Sequence, residues 1–382
     1  MKNISGYFDY SASTPLDVRV KKAMEPYFTD YFYNPSSGYS KAREVAVDLK
    51  NARAQIASLL GSKPSEIIFT AGATEANNMA IYGVMEKFSQ ANIVVSAIEH
   101  ESVLKPAQNY RTKLCPVAKS GIIDLKELEA LIDEKTVLVS VMLANNEIGT
   151  IQPVKKVAEL INQVRQKRIK TGNKLPIYLH SDMAQAGNYL DLHISRLGVD
   201  LMSLNGGKIY GPKQSGILFV KTGLVLKPLI LGGGQERNLR SGTENIPAII
   251  GFAMALKIAN EMREHEVKRL SELQKLFINL LKKHVPNHQI NGSLKNRLPN
   301  NVHVTFFDQD NERLMILLDE LGFCTAVGSA CSASSEEPSH VLAALRMSKN
   351  DIQMSLRFSM GRLTTTGGVT KLVDAIKTSI HA

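Results

Sequence analysis

Ile177-Tyr178-Leu179-His180-Ser181-Asp182 and Leu201-Met202-Ser203-Leu204-Asn205-Gly206-Gly207-Lys208-Ile209-Tyr210-Gly211-Pro212-Lys213 bound the stretch whose reading decides the fold. Each opens as an apolar run and closes on polar residues. That pattern reads as a buried strand delivering side chains from its C-terminal end, where α/β proteins build their sites. An acid at one strand end and a lysine just beyond the next suit a pocket for pyridoxal 5'-phosphate (PLP). Lys208 would form the Schiff base, and Asp182 would pair with the pyridinium nitrogen and keep it protonated. The plain alternative is an ordinary βαβ edge carrying a surface Asp and Lys.

The chain on either side favours the pocket. Glu66-Ile67-Ile68-Phe69-Thr70 reads as a strand, followed by Ala71-Gly72-Ala73-Thr74-Glu75-Ala76-Asn77-Asn78 and an amphipathic helix. A strand, a Gly-containing turn and a Thr at a helix start bind anions, because unpaired backbone N–H groups and the helix dipole point at the turn. A cofactor phosphate would sit there. Strands at Ile93–Ala97, Val137–Leu143 and Ser215–Val220 alternate with helices at Ser40–Leu60, Asp124–Ile132 and Val154–Val164. The alternation predicts a mostly parallel sheet covered on both faces.

A long helix from about Ile246 to Leu281 follows the Gly-rich segment Gly232-Gly233-Gly234-Gln235-Glu236-Arg237 and leads to a second unit. That unit holds strands at Val302–Phe306 and Ser355–Ser359 and helices near Glu312–Leu321, Ser339–Leu345 and Val369–Ile380. The expected division is a large domain over 16–259, with 1–15 and 260–382 forming a small one.

A length of 382 residues suffices for two such cores, and 44% hydrophobic with 21% charged residues is ordinary globular composition. There is no apolar signal core and no run as long as a membrane span, so a cytoplasmic, membrane-free protein is expected. Three scattered cysteines exclude a disulfide framework or zinc cluster. The net charge of +10 comes without aromatic-interleaved basic runs, so it reads as a solvated surface, and direct nucleic-acid binding is not expected.

Polar groups collect at the predicted strand ends: His100, Asn145 with Asn146, Asp182 with Gln185, and Lys208. Four strand ends aimed one way make one pocket. Val327-Gly328-Ser329-Ala330-Cys331-Ser332-Ala333-Ser334-Ser335-Glu336-Glu337-Pro338 is a small-residue loop with one cysteine. Cys331 is expected to be exposed, and Cys324, in Leu321-Gly322-Phe323-Cys324, to be buried among apolar neighbours. Arg357, in the strand Ser355-Leu356-Arg357-Phe358-Ser359, needs a carboxylate partner. Either a structural Asp or Glu or the α-carboxylate of an amino-acid substrate fills that role.

With these residues in place, the chain resembles the cysteine desulfurases of the class V aminotransferase family, nearest the group with a long cysteine loop. The likeness runs from Asp9-Tyr10-Ser11-Ala12 to Arg357-Phe358-Ser359-Met360-Gly361-Arg362. It passes through Gly72-Ala73-Thr74-Glu75, Asn145-Asn146-Glu147-Ile148-Gly149, Lys208-Ile209-Tyr210-Gly211-Pro212-Lys213, Arg240-Ser241-Gly242-Thr243 and Gly328-Ser329-Ala330-Cys331.

The resemblance implies an α/β homodimer of PLP-dependent fold type I, with a mostly parallel large-domain sheet and a smaller α+β domain. It implies that Lys208 carries the cofactor, Asp182 meets the ring nitrogen, and His100 stacks on the ring and moves protons. Gln185 and Asn146 would bond the ring oxygen. Ala73 and Thr74 would hold the phosphate, and Thr243 would reach the phosphate of the neighbouring subunit's cofactor. Asn34, Asn146 and Arg357 would hold the carboxylate of L-cysteine. Cys331 would take the sulfur, leaving alanine and an enzyme persulfide. A sulfur-acceptor protein, either an iron–sulfur scaffold or a tRNA-thiolation enzyme, would then receive it.

The family commonly has Ser or Thr where this chain has Asn205, and His where it has Gly207. Both positions help hold the phosphate, and losing one hydrogen bond to a charged group costs roughly 1.5–3 kcal/mol. Weaker PLP retention with intact chemistry is therefore expected. The rival readings are a selenocysteine lyase or other PLP lyase of the same fold, and a non-catalytic basic scaffold.

Overall fold

The computed structural model describes residues 6–88, 90–328 and 338–381. A seven-stranded sheet forms the larger body, with strands β1 (Ile67–Thr70), β2 (Asn92–Ser96), β3 (Arg111–Cys115), β4 (Thr136–Ser140), β5 (Tyr178–Asp182), β6 (Leu201–Asn205) and β7 (Gly216–Val220). Their spatial order is β1-β7-β6-β5-β4-β2-β3. The pairs from β3 through β6 are parallel, and β7 runs antiparallel to both β6 and β1. The prediction of a mostly parallel sheet holds.

Alternate residues explain why these strands read as continuous apolar runs. Phe69, Met202 and Phe219 enter one core, while their neighbours Ile68, Leu201 and Leu218 enter the core on the opposite face. A sheet buried on both faces loses the polar–apolar alternation of a half-exposed one. β3 escaped the sequence reading for the converse reason. It is an edge strand of which only Cys115 is buried, and Arg111-Thr112-Lys113-Leu114 carry no apolar run.

Ser40–Leu60 is a helix as its periodicity predicts, and Gly61 ends it at φ 63, a left-handed conformation that glycine adopts without strain. The long helix runs Ile246–His284. Its first half packs on the large sheet through Ile249, Phe252 and Leu256, and its second half packs in the small core through Leu270, Leu273, Phe277 and Leu281.

The small sheet is antiparallel in the order β10 (Ser355–Ser359), β9 (Asn301–Phe306), β8 (His288–Ile290). β8 is three residues long and was not foreseen. The N-terminal arm joins this body: Phe8 donates its N–H to Cys324 and accepts from Ser359, and its ring is fully buried. Among the described residues no helix is long and apolar enough to cross a membrane.

One polar feature crosses the large sheet. Ser140 on β4, His180 on β5 and Ser203 on β6 form a chain through His180 Nδ1 (2.8 Å) and Nε2 (3.1 Å). Burial holds the His180 imidazole neutral, its pKa lowered to about 4.

Candidate active site

β6 ends at Asn205, and the next three residues, Gly206–Lys208, turn through a short 3-10 segment. Asn205 caps it, its Oδ1 accepting the Gly207 N–H at 2.9 Å. The turn directs Lys208 towards the N-terminal arm, where Nζ donates to the carbonyls of Ser11 (2.7 Å) and Ala12 (2.5 Å). Gln185 Nε2 donates to the same Ser11 carbonyl at 3.0 Å. The arm thus orders two site residues from different strand ends.

Asp182, at the end of β5, is 6% exposed. Its Oδ1 accepts from the Ala184 N–H at 2.8 Å, and its Oδ2 from Asn77 Nδ2 at 2.7 Å. Asn77 also donates to Ser102 Oγ at 2.8 Å. Ser102 Oγ lies 2.9 Å from His100 Nδ1, which also accepts the Ser102 backbone N–H at 3.1 Å. Two donors converging on Nδ1 place the neutral ring's proton on Nε2. Carboxylate, amide, hydroxyl and imidazole are therefore one hydrogen-bonded chain.

A single cavity gathers most of the predicted set. Ala73 and Thr74 line it from the helix start, His100 and Asn146 from loops after β2 and β4, and Asp182, Gln185, Asn205 and Lys208 from the ends of β5 and β6. Arg357 enters from the small sheet. It is 1% exposed, bonded to Asp9 Oδ1 (2.6 Å) and to the Asn146 carbonyl (3.2 Å), with Nε buried and unpartnered among the described residues. The structural carboxylate expected for Arg357 is therefore Asp9, and the guanidinium still faces the cavity.

Other expected residues stand elsewhere. Gly207 does not line the cavity, and its N–H is engaged by Asn205. Thr243 is exposed and borders a separate cavity with Arg240 and Gln214. Asn34 is exposed, its Oδ1 accepting from Ser36 N at 2.9 Å. Cys331 lies outside the described residues. The expectation of a buried Cys324 is wrong: that thiol is exposed. Its backbone pairs with the N-terminal arm through Gly6 and Phe8, which leaves its side chain outside the small core.

Sequence reasoning missed Ser11, Ala12, Asn77 and Ser102. For Asn77 a signal existed, since it lies one helical turn beyond Ala73 and so shares its face. The carbonyls of Ser11 and Ala12 left none, because backbone acceptors have no sequence signature.

Glu99, fully buried beside His100, was also passed over. Its Oε1 accepts the Met142 N–H, Oε2 has no partner among the described residues, and burial raises its pKa from 4.5 to about 8. The unfolded chain ionises this carboxyl near its ordinary value while the fold keeps it neutral. Stability is therefore full below about pH 4.5 and is lost as the pH climbs through about 8. Glu99→Gln should remove that loss, gaining on the order of a few kcal/mol over the parent at alkaline pH. Thermal melts at acid and alkaline pH check this, and parallel melting of the two proteins would refute it.

The residues fit PLP. The helix Ala73–Met85 starts at Gly72 (φ 117) with no side chain capping it, which suits a phosphate. A fixed carboxylate, an ammonium and a buried guanidinium complete the donor and acceptor set.

Residues 6–372 match the family described as aminotransferase class-V. The chain is 40% identical over 381 residues to "Cysteine desulfurase IscS 1" of Archaeoglobus fulgidus, covering 97% of this chain and 95% of that protein. It is 38% identical over 382 residues to "Cysteine desulfurase IscS" of Dictyoglomus turgidum, covering 98% and 94%. A solved structure titled "NIFS-LIKE PROTEIN" superposes with a TM-score of 0.90 at 33% identity, covering 98% of this chain and 99% of the other.

Proposed function

The chain belongs to the class V aminotransferase family, whose members work with PLP, and is a cysteine desulfurase; from that premise we propose that Lys208, Asp182 and His100 are its reaction centre and Cys331 its sulfur acceptor. The observation that carries the assignment is the convergence of Ala73, Thr74, His100, Asp182, Gln185, Lys208 and Arg357 on one cavity. A scaffold has no use for that set.

PLP, when bound, supplies an electron sink that weakens bonds at the α and β positions of an amino acid. Lys208 would hold it covalently, Asp182 at the ring nitrogen, Gln185 and Asn146 at the ring oxygen, and the Ala73–Thr74 turn at the phosphate. Asn205 would add one donor there, whereas Gly207 has only its backbone N–H, which Asn205 already engages. The neighbouring subunit's Thr243 would complete the phosphate site.

Arg357, already oriented by Asp9, would grip the cysteine carboxylate together with Asn146 and with Asn34. Bidentate guanidinium–carboxylate pairing fixes the substrate's orientation. His100, with its proton on Nε2, is set to give and retake a proton at the substrate. Overall, L-cysteine and the Cys331 thiol become L-alanine and a Cys331 persulfide: one C–S bond breaks, one S–S bond forms, and the thiol proton ends on alanine.

The same reading assigns the two-domain division at 16–259 against 1–15 with 260–382, a reducing cytoplasm, and transfer of the persulfide to an acceptor protein. Dimerisation finds support in an exposed aromatic cluster near the N-terminus. Phe28 is 63% and Phe32 67% exposed, and Phe32 stacks on Tyr33, which meets the exposed Tyr39 edge-on. Water does not favour such a patch uncovered.

Comparing turnover of cysteine and selenocysteine, with Cys331→Ala alongside, tests this function against a selenocysteine lyase. Faster turnover of selenocysteine that persists in the alanine variant would favour the lyase. Protein that stays colourless in excess PLP would favour a scaffold.

The weaker phosphate grip is open to a direct check. A Cβ at Gly207 would meet Asn205 Oδ1 at 3.4 Å and Lys213 Cγ at 3.7 Å, which is ordinary contact. The backbone at 207 therefore accepts a Cβ, and Gly207→His should bind PLP at least about tenfold more tightly, the lower end of the value of one hydrogen bond to a charged group. Equilibrium dialysis measures it, and unchanged affinity would rule the explanation out.

A further inference from the structure

Residues 329–337 lie outside the described structure, and the chain resumes at Pro338-Ser339-His340. The second and third of these are fastened to the loops of the cavity. His340 Nε2 lies 2.8 Å from the carbonyl oxygen of Glu99. A carbonyl only accepts, so Nε2 carries the proton. Ser339 Oγ donates to Glu147 Oε2 at 2.6 Å, and Glu147 is 2% exposed. Glu99 immediately precedes His100, and Glu147 immediately follows Asn146. The two loops are also tied to each other, Asn145 Nδ2 donating to the Ile98 carbonyl at 2.9 Å.

These bonds exceed what the local helix requires. Ser339 caps the helix His340–Ala344 by accepting the Leu342 N–H at 3.2 Å, a role that uses only its oxygen. Its hydroxyl proton is spent on a buried carboxylate, a charge-assisted bond. His340 crosses to another loop when its own helix offers no reason to do so.

We propose that Ser339 and His340 are positioning residues for sulfur transfer, fixing where the Cys331 stretch rejoins the fold relative to His100 and Asn146. The proposal rests on the assignment of Cys331 as sulfur acceptor. Chemistry between a bound substrate and a side chain is steeply sensitive to placement, and an error near 1 Å costs about 100-fold. Two bonds eight and nine residues from the nucleophile hold one end of its stretch against the loops that bind substrate.

The test uses the PLP-loaded enzyme in single turnover, reading Cys331 persulfide by mass spectrometry. It also reads PLP content, cysteine KM, and the alkylation rate of Cys331 by iodoacetamide without substrate. His340→Ala and Ser339→Ala should each slow persulfide formation about 10-fold or more. They should also change the alkylation rate, while leaving PLP content and KM as they were. His340→Gln, which keeps an N–H near the Nε2 position, and Ser339→Thr should restore both rates.

Alanine variants with unchanged persulfide and alkylation rates would overturn the proposal. So would losses of PLP and substrate affinity in parallel with the rate, which mark a merely structural role. Parent enzyme that forms no persulfide on Cys331 would overturn the Cys331 assignment itself, and the positioning role with it.

Discussion

Cys331→Ala is expected to lower alanine formation from L-cysteine by about a thousandfold or more, some 4 kcal/mol of barrier, with PLP content unchanged. The thiol is the proposed destination of the substrate's sulfur, and alanine cannot be released until that sulfur has one. Water is a poor replacement, because a thiolate is intrinsically the stronger nucleophile towards sulfur. Cys115 cannot substitute: it is buried, and burial pushes its pKa up to about 12. Cys324 is exposed, but partial loss of hydration around the sulfur, and then Asp319 and Asp9, still raise its pKa. Coupled assay of alanine in single turnover decides the matter, and alanine produced at the parent's rate would end the persulfide mechanism.

Asp182→Asn should be nearly as severe, with kcat reduced about 10²–10³-fold. Removing one member of a buried ion pair costs about 3–5 kcal/mol, and the ring nitrogen would lose the group that keeps it protonated. The geometry adds to the loss. Both carboxylate oxygens accept, one from Asn77 Nδ2 and one from the Ala184 N–H. An amide must present its NH₂ to one of those donors, so the side chain cannot keep both bonds. Steady-state kinetics together with the visible absorbance of the PLP-loaded variant measure the effect. A kcat near the parent's would remove Asp182 from the reaction centre.

The strand ends were legible because a parallel sheet writes its topology as apolar runs closing on polar residues. Asp182, Asn205 and Lys208 needed only that. Lys208 and Asp182 became a pair because β5 and β6 are adjacent and parallel, which a βαβ alternation implies. The supports of these residues were harder to see. Lys208 is held by main-chain oxygens of Ser11 and Ala12, nearly two hundred positions away. Arg357 finds Asp9 only because the N-terminal arm lies along the small sheet, where Asp9 and Ser359 share a parallel bridge. No local pattern announces a contact of that separation.

The polar chain Ser140–His180–Ser203 left no signal, because its members sit on three different strands and no local pattern joins them. Thr243 and Asn34 mark a different limit. Both were expected at the site from the resemblance, and neither lines the cavity within one chain.

The central claim is that one lysine, Lys208, carries the cofactor. Protein incubated with PLP, reduced with borohydride and digested should show a pyridoxyl mass on the peptide containing Lys208, and Lys208→Ala should abolish it. A label on Lys213 or another lysine of the parent, or none at all under saturating PLP, would contradict the account.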